Sequence, residues 1–352
     1  MSESWPLKLC VWELTLACNA RCTHCGSDAG KPRPDELDTA EALVVIAELA
    51  RLGAESVTFS GGEPLLRSDW PQLARAVRAA GMSLDMITNG LLAAKQADVI
   101  AGCGFSAVTF SIDGPAPVHD FLRGLDGGLG RTLEGARALR KRGVRIGAAT
   151  QINRHNLARL YDTLDLLTAE GFSGWQLQLT MPHGRARGLS QGDLCLRPDE
   201  LPRLETLLVA LQGKAPFFIN TADNIGYMGR HEPRLRSGRA LWERCWMGCG
   251  AGIEVVGIAS DGTVRGCLSL PAGAADEGNV RCRSLAGLWN DESAFAYNRT
   301  PGTDDLGPGC RDCAFGTLCR GGCQSLCLAT TGVFHHNAHC IFAVTQSEGG
   351  RP

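Results

Sequence analysis

Cys18, Cys22 and Cys25 stand in the spacing C-x3-C-x2-C, directly after an apolar, strand-like run from Leu7 to Leu16. Three thiolates on one tight loop can hold three irons of a [4Fe–4S] cube. Such cubes normally take four cysteines, so a loop that offers three leaves one iron open to a small molecule. The competing reading is half of a zinc site, which usually uses C-x2-C or C-x4-C pairs. The rest of the chain favours iron. Its sixteen cysteines fall mostly in two groups, 18–25 and 245–340. The start of the chain has no basic-then-apolar signal pattern, so the cysteines point to metal or redox chemistry rather than disulfides.

The 352 residues suffice for one large domain and a smaller one. A net charge of −2 gives no electrostatic case for nucleic acid or an anionic membrane. No apolar run reaches the roughly 20 residues that span a bilayer. A cytoplasmic protein is expected.

From residue 7 to about 180, strands alternate with amphipathic helices. Strands are expected at Leu7–Leu16, Ser56–Ser60, Ser83–Thr88, Ala107–Ile112, Val144–Ile152 and Gly174–Thr180. Helices are expected at Asp38–Leu52, Trp70–Ala80, Ala93–Ala101, Arg131–Arg142 and Asn156–Glu170, followed by Leu201–Leu211. Six strand-then-helix units imply an α/β fold with a parallel sheet and right-handed crossovers. Pattern alone does not separate an open sheet from a barrel. Parallel α/β folds build their sites at strand C-termini. There lie the cysteine loop, Ser60-Gly61-Gly62-Glu63-Pro64, Thr88-Asn89-Gly90, Ser111-Ile112-Asp113-Gly114, Gln151-Ile152-Asn153 and Met181-Pro182-His183-Gly184-Arg185. Turn preference for Gly, Asn and Asp explains some of these residues, but not the cysteines.

The cysteine loop together with Gly61-Gly62-Glu63-Pro64 and Ser111-x-Asp113-Gly114 resembles the radical S-adenosylmethionine (SAM) enzymes. The resemblance implies a partial (β/α)6 barrel. It implies that the open iron chelates the amino and carboxylate groups of SAM, and that one electron splits SAM into methionine and a 5′-deoxyadenosyl radical. Glycine lets a backbone approach a ligand closely, which suits Gly61 and Gly62. By the same resemblance Glu63 accepts from the SAM amino group; the plain alternative is a cap on the following helix. His24 occupies the place where the family usually sets an aromatic ring beside adenine. Ser111, Arg123, Gln151 and Asn153 suit the ribose hydroxyls and the carboxylate. Each of these, like Arg185, could equally be a turn cap or an ion pair.

In the C-terminal part, Cys249 is followed by Gly262 and Cys267, then by Cys310-x2-Cys313-x5-Cys319-x3-Cys323 and, sixteen residues on, Cys340. This resembles the SPASM extension of radical SAM maturases. With Cys245, eight thiolates suffice for two fully ligated cubes. The resemblance implies one held by Cys245, Cys249, Cys267 and Cys323, and a second by Cys310, Cys313, Cys319 and Cys340, making three [4Fe–4S] clusters in all. A zinc ribbon from Cys310/Cys313 and Cys319/Cys323 is the alternative, and Cys327 could stand in for Cys340. Cys10 and Cys103 read as small buried hydrophobes. His335, His336 and His339 beside Cys340 read as supporting or surface groups rather than ligands.

The expected division is a radical SAM core at 1–214, a loop-rich auxiliary-cluster domain at 215–345 with short strands at Ile253–Ile258 and Thr263–Cys267, and a loose tail at 346–352. The expected activity is hydrogen abstraction from a residue of a peptide or protein, leading to crosslinking, oxidation or epimerisation. The first strand begins almost at residue 1, so a preceding leader-binding domain is not expected and a separate recognition protein would present a peptide. A flavodoxin- or ferredoxin-type electron donor is the expected redox partner. A sugar or aminocyclitol substrate is the enzymatic alternative; an iron–sulfur electron carrier or zinc-bound interaction module is the non-enzymatic one.

Overall fold

A computed structural model of the chain describes residues 5–188, 193–236 and 245–348. The expected units are present in order. Strands β1 (Leu9–Glu13), β2 (Ser56–Ser60), β3 (Ser83–Thr88), β4 (Ala107–Ser111), β5 (Ile146–Ile152) and β6 (Gly174–Leu179) lie side by side, each parallel to the next. Helices α1 (Thr39–Arg51), α2 (Trp70–Ala79), α3 (Ala97–Gly102), α4 (Ala116–Arg123), α5 (Gly128–Arg140) and α6 (Leu160–Ala169) connect them. Six strands in sequential parallel order, the first and last not paired with each other, form a partial (β/α) barrel. At α1, Asp38 accepts from Glu41 N while the Glu41 side chain accepts from Asp38 N, a capping box.

The strands bury alternate residues. Val57 and Phe59, Val108 and Phe110, and Trp175, Leu177 and Leu179 enter one hydrophobic core with the helices. The opposite parity carries Val11, Glu13, Ser60, Ser111, Gln151, Gln176 and Gln178, all of which line a single cavity. The two-residue period thus sends large apolar side chains outward to the helices and most of the polar ones inward to the barrel mouth.

The structure adds two strands that periodicity did not give and shows the two short strands expected at Ile253–Ile258 and Thr263–Cys267. After α7 (Leu201–Lys214), β7 (Phe218–Thr221) pairs parallel to β6, so the parallel run continues past residue 214. On the other side, β8 (Val255–Ile258) pairs parallel to β1, and β9 (Thr263–Arg265) and β10 (Asp276–Asn279) follow antiparallel. The C-terminal part therefore covers the β1 edge, which would otherwise expose unpaired backbone groups. The unexpected β7 and β10 are four residues long, too short for a hydrophobic period to mark them. Beyond them the chain forms short helices ending in Ile341–Glu348. The expected loose tail is helical over 346–348, and its remainder lies outside the described residues. Among the described residues no helix is long and apolar enough to cross a membrane.

Candidate active site

The cysteine loop leaves β1 and is fastened to the glycine turn that leaves β2. Gly62 N–H donates to Thr15 O, and Glu63 N–H to Ala17 O, both at 2.8 Å. A Cβ on Gly61 would lie 2.4 Å from Thr15 O, and one on Gly62 would lie 2.2 Å from Ala17 O. The close approach that these glycines permit is thus to the loop's own backbone. Glu36 holds the other flank, accepting from Leu16 N–H at 2.7 Å.

Cys18, Cys22 and Cys25 all line the cavity, whose volume is ≈ 400 Å³. Each sulfur has a donor near it: Asn89 Nδ2 at 3.9 Å from Cys18, Arg123 Nη1 at 3.7 Å from Cys22, and Ala29 N at 3.4 Å from Cys25. Donors aimed at sulfur suit thiolates that carry a cluster's negative charge. Among the described residues no three His, Cys, Asp or Glu side chains gather as they would around one metal ion. Thiols spread around a cavity fit a cube held at its corners. The donor set therefore fits the implied cluster.

Arg185 locks the loop from the β6 side. It donates through Nε to Cys22 O at 2.8 Å and through Nη1 to Asp28 Oδ1 at 2.9 Å and Ala29 O at 2.7 Å. Asp113, fully buried, is a second hub. Its Oδ2 accepts from Arg123 Nε at 2.6 Å, and its Oδ1 accepts from Gln151 N–H at 3.0 Å. His24 Nε2 sits 3.1 Å from the same Oδ2, out of line for a good hydrogen bond, with the ring 1% exposed.

Of the residues singled out for SAM, His24, Gly61, Gly62, Ser111, Arg123 and Gln151 line the cavity. Glu63 and Asn153 are not part of that lining. Glu63 is 0% exposed. Its oxygens accept from Thr88 Oγ1 at 2.7 Å, Asn89 N at 2.8 Å and Leu65 N at 3.2 Å. It brackets the end of β3, and burial pushes its carboxyl up to about 7 against those three donors. Asn153 is equally buried. Its Oδ1 accepts from His155 N at 3.0 Å and its Nδ2 donates to Gln151 O at 3.0 Å, the local turn bonding that asparagine favours.

Cys267 and Cys323 enter the same cavity from the C-terminal part. Cys249 belongs with them: burial first, then nearby Cys323 and Cys267, pushes its thiol up. Cys245 Sγ lies 3.7 Å from Met247 Sδ. Cys310, Cys313, Cys319 and Cys340 line a second cavity of ≈ 540 Å³. Cys327 is absent from that lining; its Sγ donates to Gly321 O at 3.1 Å. His335 bonds the carbonyls of Arg320 and Tyr297, and His339 that of Leu196. Sequence reasoning missed Asp223, Ser269 and Ser325 in the first cavity, which carry no motif, whereas Met181 and His183 lie in the strand-end segment already named with Arg185.

Comparison with known proteins agrees with this arrangement. Residues 12–174 match the family model of the Radical SAM superfamily, and residues 249–314 that of SPASM, an iron–sulfur cluster-binding domain. The chain is 31% identical over 325 residues to mycofactocin maturase MftC of Mycobacterium tuberculosis, covering 90% of this chain and 78% of that one. It is 28% identical over 333 residues to the AdoMet-dependent heme synthase of Oleidesulfovibrio alaskensis, covering 90% and 82%. Streptococcus suis SuiB bound to its precursor peptide SuiA matches with a TM-score of 0.75 at 16% identity, over 97% of this chain and 76% of that one. At that identity the likeness speaks for the fold alone.

Proposed function

This chain belongs to the radical SAM superfamily and carries a SPASM iron–sulfur domain; from that premise we propose that it is a maturase, abstracting a hydrogen atom from a residue of a peptide or protein. The observation that carries this reading is that two cysteine groups, Cys18/Cys22/Cys25 and Cys267/Cys323, face one cavity at the strand C-termini. SAM and a cluster on the first group supply, when bound, a 5′-deoxyadenosyl radical. The chain's own residues hold and orient. Cys18, Cys22 and Cys25 keep the cluster, and Arg185 and Asn89 fix their loop. Ser111, Arg123 and Gln151 meet the ribose hydroxyls and carboxylate of SAM, with His24 beside the adenine and Gly61 and Gly62 at the wall. Residues to about 214 form this core, and residues 215–345 hold two further clusters on Cys245/Cys249/Cys267/Cys323 and Cys310/Cys313/Cys319/Cys340. Three cubes make about twelve irons per chain. A Cys18/Cys22/Cys25→Ala triple variant should keep about eight and cleave no SAM.

The cavity wall supports a peptide. It offers the side-chain amides of Gln151, Gln176 and Gln178, which match the donors and acceptors of an extended backbone. Among the described residues the arginines lining it are Arg123 and Arg185, and both are engaged with the cysteine loop. Relatives named mycofactocin maturase and PqqA peptide cyclase point the same way. A separate recognition protein would present the substrate, and a flavodoxin- or ferredoxin-type donor would supply electrons.

Relatives named AdoMet-dependent heme synthase favour a second reading, an iron-porphyrin precursor. Its carboxylates would require free cations, which the described wall does not offer. Deuterium transfer separates the two. A candidate peptide, labelled at Cα or Cβ, is incubated with enzyme, SAM and reductant under anaerobic conditions. Label is expected in 5′-deoxyadenosine. Label arriving only from a deuterated porphyrin propionate, with peptides inert, would replace the peptide reading.

A further inference from the structure

Gly226, Tyr227 and Met228 have successive positive φ angles of 116°, 78° and 57°. Glycine adopts such a backbone freely, a tyrosine seldom. A bulky residue stays there only when its surroundings over-determine it, and such residues cluster at functional sites. Here the surroundings are explicit. Tyr227 N–H donates to Glu232 Oε2 at 2.9 Å, and Glu232 is paired with the fully buried Arg236 at 3.0 Å. Arg236 also donates to the carbonyls of Thr221 at 3.1 Å and Ile225 at 2.6 Å. The tyrosine ring has no exposure and meets Trp246 edge-on, with centroids 5.3 Å apart.

Fixed in this way, Tyr227 touches both C-terminal cysteine groups. Its hydroxyl donates to Asp223 O at 2.6 Å and accepts from Cys323 N–H at 3.2 Å. Its carbonyl oxygen lies 3.7 Å from Cys340 Sγ. Asp223 and Cys323 line the first cavity, whereas Tyr227 and Cys340 line the second. The glycine before Cys323, with φ 78°, leaves room for this ring: a Cβ on Gly322 would sit 2.6 Å from Asn337 Nδ2 and 2.7 Å from the ring. One strained residue is the partition between the two cavities.

We propose that Tyr227 is a positioning residue that holds the two auxiliary-cluster sites in fixed relation to each other and to the substrate-cavity wall at Asp223. This rests on the assignment of Cys323 and Cys340 to two different clusters. A hydrogen bond to the backbone of a ligating cysteine sets where its sulfur points, and such supporting partners typically change metal affinity 10–100-fold when removed.

The test uses the full chain, anaerobically reconstituted, with Tyr227→Phe keeping the ring and removing only the hydroxyl. Iron content, EPR spectra and reduction potentials are compared with the wild type, as is iron release to EDTA. The variant should load fully and leave the SAM-binding cluster's signal unchanged. The auxiliary-cluster signals should shift, with their iron lost to EDTA about tenfold faster. Should Tyr227→Phe not load, Glu232→Gln weakens the hold on the Tyr227 N–H with the hydroxyl in place, and the same shift is expected. A fully loaded variant with unchanged auxiliary spectra, potentials and iron release overturns the role of Tyr227 alone. A wild type that binds only about four irons overturns the two-cluster reading and the partition with it.

Discussion

The Arg123 guanidinium joins Asp113 to the cysteine loop: Nε is 2.6 Å from Asp113 Oδ2 and Nη1 is 3.7 Å from Cys22 Sγ. Burial alone would raise the Asp113 carboxyl. Arg123 first, then His24, outweighs it and holds the group well below the usual carboxylate range. Stability from such a depressed carboxylate is present above its ordinary pKa and is lost only as pH falls through the lower folded value. The pair should therefore hold through the neutral range. Asp113→Asn leaves Arg123 a buried cation without its anion, at a cost of about 3–5 kcal/mol in a denaturant melt of the metal-free chain. Adding Arg123→Met should recover part of that loss. Equal melts for the single and double variants would show that the two groups are not coupled.

Gly62→Ala should uncouple the glycine turn from the cysteine loop. Its Cβ would sit 2.2 Å from Ala17 O, and a backbone carbonyl yields less readily than a flexible side chain. Overpacking of this kind costs roughly 1–3 kcal/mol. The expected outcome is a lower melting temperature and loss of about four irons, with the C-terminal iron retained. Full iron content would show that the loop shifts without harm.

How much of this was legible in the sequence depended on what each residue answers to. Six strands followed from the alternation of strand and helix units and the cysteines from their spacing, while the barrel arrangement came from the family resemblance. The short β8 and β9 were also expected, whereas β7 and β10 were not, since each is held by a neighbouring edge rather than by its own pattern. Glu63 and Asn153 sit in motif positions, yet their side chains serve the backbone around them. Sequence named the right turns without showing which way those two side chains face. Tyr227 carried no signal, because its φ of 78° is imposed by Glu232 and Arg236.

Glu63 should make the metal-free protein less stable as pH rises. Its carboxyl is raised from 4.5 to about 7. The folded chain thus binds more protons than the unfolded one between those values. The contribution is fully present below about pH 4.5 and is lost as pH rises through about 7, amounting to about 3 kcal/mol at most. Denaturant melts on either side of that window measure it. Glu63→Gln should flatten the fall, since an amide does not titrate there. A slope that survives the substitution would have to come from another group.

Cys340, not Cys327, should complete the second auxiliary cluster. Cys340 shares the ≈ 540 Å³ cavity with Cys310, Cys313 and Cys319, whereas Cys327 is fully buried with its thiol committed to Gly321 O at 3.1 Å. Burial pushes Cys340 up to about 11 and Cys327 further still. Ligation must remove the thiol proton, and binding a metal supplies the free energy to do so only where the sulfur reaches it. Cys340→Ala should therefore lose the iron of one cube, about four of twelve, together with its EPR signal. Cys327→Ala should keep all the iron, and its effect should be confined to the stability lost with a small buried side chain. Iron loss in the Cys327 variant alone would exchange the two assignments.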